Sequence, residues 1–196
     1  MRSKMYSNAY REYDREENTR EWLKEKIQTL RPRPHSLINN NRNLLKNYPI
    51  TGKMYLFMYE PQGKKKLPYY DMFPLAIPVE LKRKLKKKSA KAQQAQMKIF
   101  ECLNLHYCTT ERREYILDKL FTTGNFLQNL YMLSSERGGK LILPMIRTYH
   151  INNVRSKFLE IPEEEYDLAV LHRTEKFIKK HKSVVWRNTE RRIISG

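Results

Sequence analysis

The densest apolar run in the chain, residues 54–59, reads Met-Tyr-Leu-Phe-Met-Tyr. It is β-favouring and aromatic, with apolar side chains on both parities, so a strand there has two faces to cover. Tyr55, Phe57 and Tyr59 fall on one face and are expected to be buried together, with Tyr69 or Tyr70 left at the following loop for contact. Pro61-Gln62-Gly63 supplies turn chemistry that closes the strand. A second strand is predicted over 73–79, where Pro74 and Pro78 confine it to a sheet edge or to positions not needed as ladder donors. A third is predicted over 97–107.

Around these strands the pattern turns helical. Residues 12–30 carry mixed charges with Tyr13, Trp22, Leu23, Ile27 and Leu30 as a single docking stripe, which predicts an exposed helix. Arg31-Pro32-Arg33-Pro34 ends it, an extended connector follows, and residues 38–43 (Ile-Asn-Asn-Asn-Arg-Asn) belong to no regular element. Thr109-Thr110-Glu111 signals a helix start, with Tyr115, Ile116, Leu120 and Phe121 at helical spacing until Thr122-Thr123-Gly124. Further helices are predicted over 140–149, with Pro144 in the first turn, and from Pro162 into the acidic Glu163-Glu164-Glu165. A last helix starts at Ser183, with Trp186, Ile193 and Ile194 inward and Arg187, Arg191 and Arg192 outward. The resulting fold class is α+β: a small, bent antiparallel β-barrel of SH3-like type, an N-terminal helical arm and a helical C-terminal half. Residues 1–49 form the arm and linker, 50–108 the barrel core, and 109–196 a helical part packed on it, within one domain overall.

Charge changes the picture from packing to partners. The formal net charge is +18, and residues 51–100 hold twelve Lys/Arg against three Asp/Glu, half of the excess in a quarter of the chain. The cations sit in the connections and not in the strands: Lys64, Lys65 and Lys66 at one loop tip, then Lys82, Arg83, Lys84, Lys86, Lys87, Lys88 and Lys91 in a long excursion. Such a localised field attracts polyanions, and nucleic-acid phosphates release condensed counterions when neutralised. Charge placed only for solubility is interspersed with acids, as it is over residues 11–25.

Candidate chemistry is sparse. Cys102 and Cys108, on one face of a strand and roughly 20 Å apart, are too distant to bridge; they are expected to be free thiols in a reducing cytosol. With His106 alone beside them they do not complete a zinc site. Asp71, Glu80 and Glu101 flank strands, but nothing in their spacing makes them converge on a metal as a nuclease requires. His106, between leucine and tyrosine, reads as a satisfied core residue, and neither it nor His150 has a visible nucleophile partner. Asp71 reads as a turn-former accepting backbone hydrogen bonds. Gly138-Gly139-Lys140 lacks the upstream glycine and following Ser/Thr of a phosphate loop. No enzyme, cofactor or metal is expected. No stretch approaches ~18 consecutive apolar residues, and the first residues lack the apolar core of a signal peptide.

Several blocks, in order, carry a family resemblance: G-K-M-Y-L-F-M-Y-E-P, L-P-Y-Y-D-M-F-P-L, L-N-L-H-Y before a helix with L-D-K-L, V-R-S-K-F, and K-S-V-V-W-R-N-T-E-R-R-I. Over roughly residues 20–194 the chain resembles the DNA end protector, head-completion virion proteins of large contractile-tailed bacteriophages. The resemblance implies a protein made in the host cytoplasm and built into the virion, capping the packaged genome's end or the filled head's portal, with no catalytic residues. This chain departs from the pattern where a short, glycine-containing link is expected before N-L-H-Y and the lysine excursion stands instead.

Two functions follow as expectations. The first is a non-enzymatic virion protein that binds the phosphate backbone of a DNA terminus through the lysine loops without sequence specificity. The second is a structural adaptor of the neck, tail or baseplate, in which residues 1–49 and the helical half pack on portal, neck or tail subunits.

Overall fold

The computed structural model of the chain describes residues 33–79, 99–122, 124–135 and 141–195. Its centre is a sheet of six antiparallel strands: β1 (Leu45–Lys46), β2 (Tyr55–Leu56), β4 (Leu75–Pro78), β5 (Ile99–Asn104), β6 (Ile146–His150) and β7 (Phe158–Glu160), in the order β1-β7-β2-β4-β5-β6. A separate ribbon pairs β3 (Tyr70–Asp71) with β8 (Phe177–Ile178). The α+β class is as expected, but the described strands form no closed barrel. The sheet is open, with β1 and β6 at its edges.

Side-chain alternation explains how the sheet is covered. Leu56, Leu75, Ile77, Leu103 and Leu159 join the larger core, whereas Tyr55, Phe57, Tyr59, Ala76, Cys102, Tyr149 and Phe158 form a second cluster on the opposite face. The second face is therefore closed by aromatic rings of the strands themselves, as in the edge-to-face contacts of Phe57 with Tyr149 (5.3 Å) and Tyr59 with Tyr149 (4.8 Å). Such pairs contribute about 0.5–1.5 kcal/mol each beyond their buried area. The expectation that Tyr55, Phe57 and Tyr59 are buried as a set holds.

The first face is covered by helices. These are α1 (Pro34–Asn40), α2 (Thr110–Phe121), α3 (Phe126–Ser134), α4 (Tyr166–Leu171) and α5 (Lys182–Ser195). Thr109 caps α2 by accepting from the Arg112 amide, and Asn125 caps α3 in the same way for Gln128. Helix α3 is not among the helices expected from the sequence, although Asn125 is a preferred capping residue. Gly52, at φ 82, lets the chain turn close beneath Phe126 of this helix, where an added Cβ would stand 3.3 Å from the ring.

Several expectations are corrected. Pro34 does not lead into an extended connector: it opens α1 at the first helical position, where its missing donor costs nothing. Residues 38–40 complete that helix, and Arg42–Leu44 is a 3-10 turn. Of the two placements open to Pro74 and Pro78, the edge is ruled out, because β4 lies between β2 and β5, and positions not needed as ladder donors are what the strand uses. The prolines serve there as acceptors, Pro74 O from the Phe57 amide and Pro78 O from the Gly52 amide. The helix expected over 140–149 is instead a 3-10 turn, Leu143–Met145, followed by β6, which pairs with β5 over five registered positions. With β6, β7 and β8, the C-terminal half is not wholly helical. Ile194 is exposed, not inward, whereas Val185 and Thr189 are buried. The helix expected over 12–30, the lysine excursion and Gly138-Gly139-Lys140 lie outside the described residues. Among those described, no helix is long and apolar enough to cross a membrane.

Candidate nucleic-acid interface

The site begins with a buried polar network beneath the β3 ribbon. Asp71 Oδ1 accepts from the Phe73 amide (3.1 Å), the turn role expected of it, and Oδ2 accepts from Asn104 Nδ2 (3.1 Å) and meets His106 Nδ1 at 2.8 Å. His106 Nε2 lies 3.0 Å from Thr174 Oγ1, and Asn104 Nδ2 also donates to the Tyr149 hydroxyl at 2.9 Å. All six residues are buried. A carboxylate, histidine and threonine in a row have the order of a hydrolytic triad. Here the imidazole is fully buried and both its nitrogens are engaged within the protein, so the arrangement is structural.

Over this network lies a cleft of ≈ 320 Å³ whose walls come from four distant parts of the chain: Tyr59 to Asp71, Tyr107, Arg147 to Tyr149 on β6, and Arg192 on α5. Its aromatic wall interlocks, with Tyr107 against Phe177 at 5.2 Å and Tyr69 within about the same range of both rings (6.1 and 6.2 Å). The guanidinium of Arg147 stacks over the Tyr107 ring at 3.8 Å, and its Nη1 donates to the Ile146 carbonyl. Burial pushes the Tyr107 phenol up to about 12, against the opposing pull of Arg147, so it stays a neutral hydroxyl. Burial raises the Tyr149 phenol as well.

The loop carrying Lys64, Lys65 and Lys66 forms one wall through Pro61, Leu67 and Pro68. It turns at Gly63, φ 74. Lys64 pairs with Glu60, which Arg155 also approaches at 3.3 Å. Lys65 and Lys66 are exposed, and among the described residues no carboxylate pairs with them, with Arg147 or with Arg192. What holds the loop is a lysine the sequence reading did not single out. Lys179 Nζ donates to the carbonyls of Lys64, Lys65 and Leu67, each at 2.8 Å, from a left-handed backbone at φ 73. No sequence signal marks it, because its partners are backbone carbonyls more than a hundred residues away.

Helix α5 is fixed by partners from several elements. The Trp186 indole donates to the His106 carbonyl at 2.8 Å, Arg112 and Glu190 form a two-bond pair, and Lys182 lies 2.5 Å from Glu175. Glu175 in turn faces the buried Arg113, 3.5 Å away. That arrangement brings Arg192 to the cleft and leaves Arg187 and Arg191 exposed, as expected. The lysine and arginine residues of the run 82–91 lie outside the described residues. Glu101 sits on β5 beside Thr148 (3.4 Å), and among the described residues no group of His, Cys, Asp and Glu is placed to hold a metal. Cys102 and Cys108 are free and buried, and burial pushes the Cys108 thiol up to about 12.

An aromatic cleft lined by Arg147 and Arg192, with a lysine-bearing loop as one wall, has the chemistry of a surface for polyanions that carry flat rings. The chain matches the family described as Phage T4 terminal DNA protecting protein over residues 7–190, and it belongs to that family. The family is one of phage proteins that protect DNA ends. No curated protein and no solved structure matches the chain.

Proposed function

We propose that this protein is a non-enzymatic virion component that covers the end of the packaged phage genome, gripping the phosphate backbone without reading its sequence. The observation that carries the reading is the convergence of the lysine loop, Arg147 and Arg192 on one cleft in a member of an end-protecting family. Lys65 and Lys66 reach the backbone directly. Lys64 joins by releasing Glu60, an exposed pair worth little to stability. Lys82, Arg83, Lys84, Lys86, Lys87, Lys88 and Lys91 extend the contact along the duplex. Binding of this kind acts at head completion, when the filled head presents a DNA terminus near the portal.

The salt dependence of binding tests it. Each phosphate contact contributes roughly 0.9 to the slope of log affinity against log salt on duplex DNA. Replacing Lys65, Lys66 and Arg192 together by serine is expected to flatten the slope by roughly two to three. A slope equal to that of the parent protein removes the cleft rim from the interface.

A second reading has its own observation. Leu127, Tyr131 and Met132 on α3, with Tyr115 on α2, are exposed at half or more of their surface. An apolar set of this kind suits contact with another virion subunit of the portal, neck or tail. The two readings are compatible, with the helical face towards the particle and the cleft towards DNA.

A further inference from the structure

We propose that the cleft receives one unpaired nucleotide at a DNA terminus, its base stacked against Arg147. This rests on the DNA-end reading above and adds what part of the end is recognised. Three features of the cleft point to a base and not to a phosphate or a paired helix.

The first is size. At ≈ 320 Å³ the space lies near the lower limit of small-molecule pockets, enough for a single nucleotide and far too little for a duplex. The second is the stacked pair itself. The Arg147 guanidinium lies over the Tyr107 ring and lines the cleft, and arginine planes and aromatic rings are the usual platforms for splayed bases. The stack is formed in advance by the Tyr107, Tyr69 and Phe177 rings, so little ordering is required on binding. The third is electrostatic layering. Asp71 is a buried lining residue whose carboxylate is already engaged by Phe73, Asn104 and His106, while the exposed Arg192 lines the same cleft and the loop that forms one wall carries the exposed Lys65 and Lys66. A phosphate brought against Asp71 would be repelled by that carboxylate, whereas a neutral base would not. The nucleotide therefore enters base first, with its phosphate left among the rim cations.

Equilibrium binding of matched short duplexes, blunt or with a single-nucleotide overhang carrying a fluorescent adenine analogue, tests the proposal. The expected result is roughly tenfold tighter binding of the overhang duplex, the scale of one base on one planar platform, with quenching of the analogue. Arg147→Lys keeps the charge and removes the plane. It should bring the two duplexes to near-equal affinity, stop the quenching and leave the salt slope unchanged. Tyr69→Leu, on the half-buried cleft wall, should reduce the preference in the same direction, and thermal unfolding confirms that each variant is folded. Equal binding of blunt and overhang duplexes by the parent protein overturns the inference and leaves the DNA-end reading standing. An Arg147→Lys protein that keeps the full preference overturns it too. Displacement of the overhang duplex by free mononucleotide at equal concentration would mark a nucleotide pocket unrelated to termini and overturn it. Absence of binding to any DNA overturns both readings.

Discussion

His172 shows how burial sets the acid limit of this fold. Desolvation pushes its imidazole down to about 4 from the usual 6.5. Below pH 6.5 the unfolded chain takes up a proton that the folded chain refuses until about pH 4. The stability present above pH 6.5 is therefore lost as the pH falls through that window, by about 3 kcal/mol for a shift of this size. Glu175 acts lower. Burial alone would raise its carboxyl, but Arg113, His106 and Lys182 outweigh burial and hold it at about 2. Its contribution is complete above pH 4.5 and lost only as the pH falls towards 2. Replacing His172 by glutamine should flatten the fall in unfolding free energy between pH 6.5 and 4 and leave the fall below 4.5, as measured by denaturant titration at stepped pH. An unchanged profile would mean that another group titrates there. At this scale the sequence was readable where a residue's neighbours along the chain decide its role. His106 between leucine and tyrosine is a satisfied core histidine, and Asp71 caps its own turn. It was silent where the partner is distant, as for Arg147 on Tyr107.

Between residue and fold, the loop of residues 61–68 depends on one cation. Its own hydrogen bonds are few, Lys64 N to Pro61 O at 3.3 Å and Lys66 N to Gly63 O at 2.9 Å, and the Lys179 ammonium gathers three of its carbonyls. Lys179→Met keeps the aliphatic stem and removes those three bonds. Hydrogen exchange at the Lys66 amide should then quicken by about tenfold while global stability changes by less than about 1 kcal/mol, because the loop is exposed and opens locally. A global loss several times larger would show that the contact supports the core. The element scale is also where sequence reading divided most clearly. The Thr109 cap and the last helix follow from local propensity and are found in place, whereas the strand expected over 54–59 is cut to Tyr55–Leu56 with an isolated bridge at Tyr59. Residues 140–149 were misread because a short apolar run with one proline suits a helix or a strand equally. What decided it was long-range: β5 needs a partner on its outer side, and five registered pairs outweigh a weak helical preference. For β4 the prolines left an edge or non-donor positions open, and long-range pairing chose the second, with Gly52 and Phe57 donating to the carbonyls of Pro78 and Pro74.

For the whole molecule, the charge excess divides into two bodies with separate expected effects. The run 82–91 was visible in composition, whereas the cleft was not, since its walls unite residues from four segments and only folding brings Arg192 to Tyr69. Under the proposed reading the dense cationic run neutralises phosphates wherever duplex is available, and so adds affinity for any DNA in proportion to its cations. On the same proposed reading the cleft, too small for paired strands, adds most of its affinity where the duplex stops. Replacing the lysines and arginine of 82–91 by Ser/Gly should therefore weaken binding to linear and closed circular DNA by the same factor. The preference for the linear form would survive. Replacing Lys65, Lys66, Arg147 and Arg192 should do the opposite: a modest loss on circles, a larger one on linear DNA, and near-equal affinity for both. Competition of each variant between the two DNA forms at one fixed salt concentration measures this directly. If removing the 82–91 run abolishes the linear preference, the end is recognised by the lysine run itself, and the cleft then adds charge without marking the terminus.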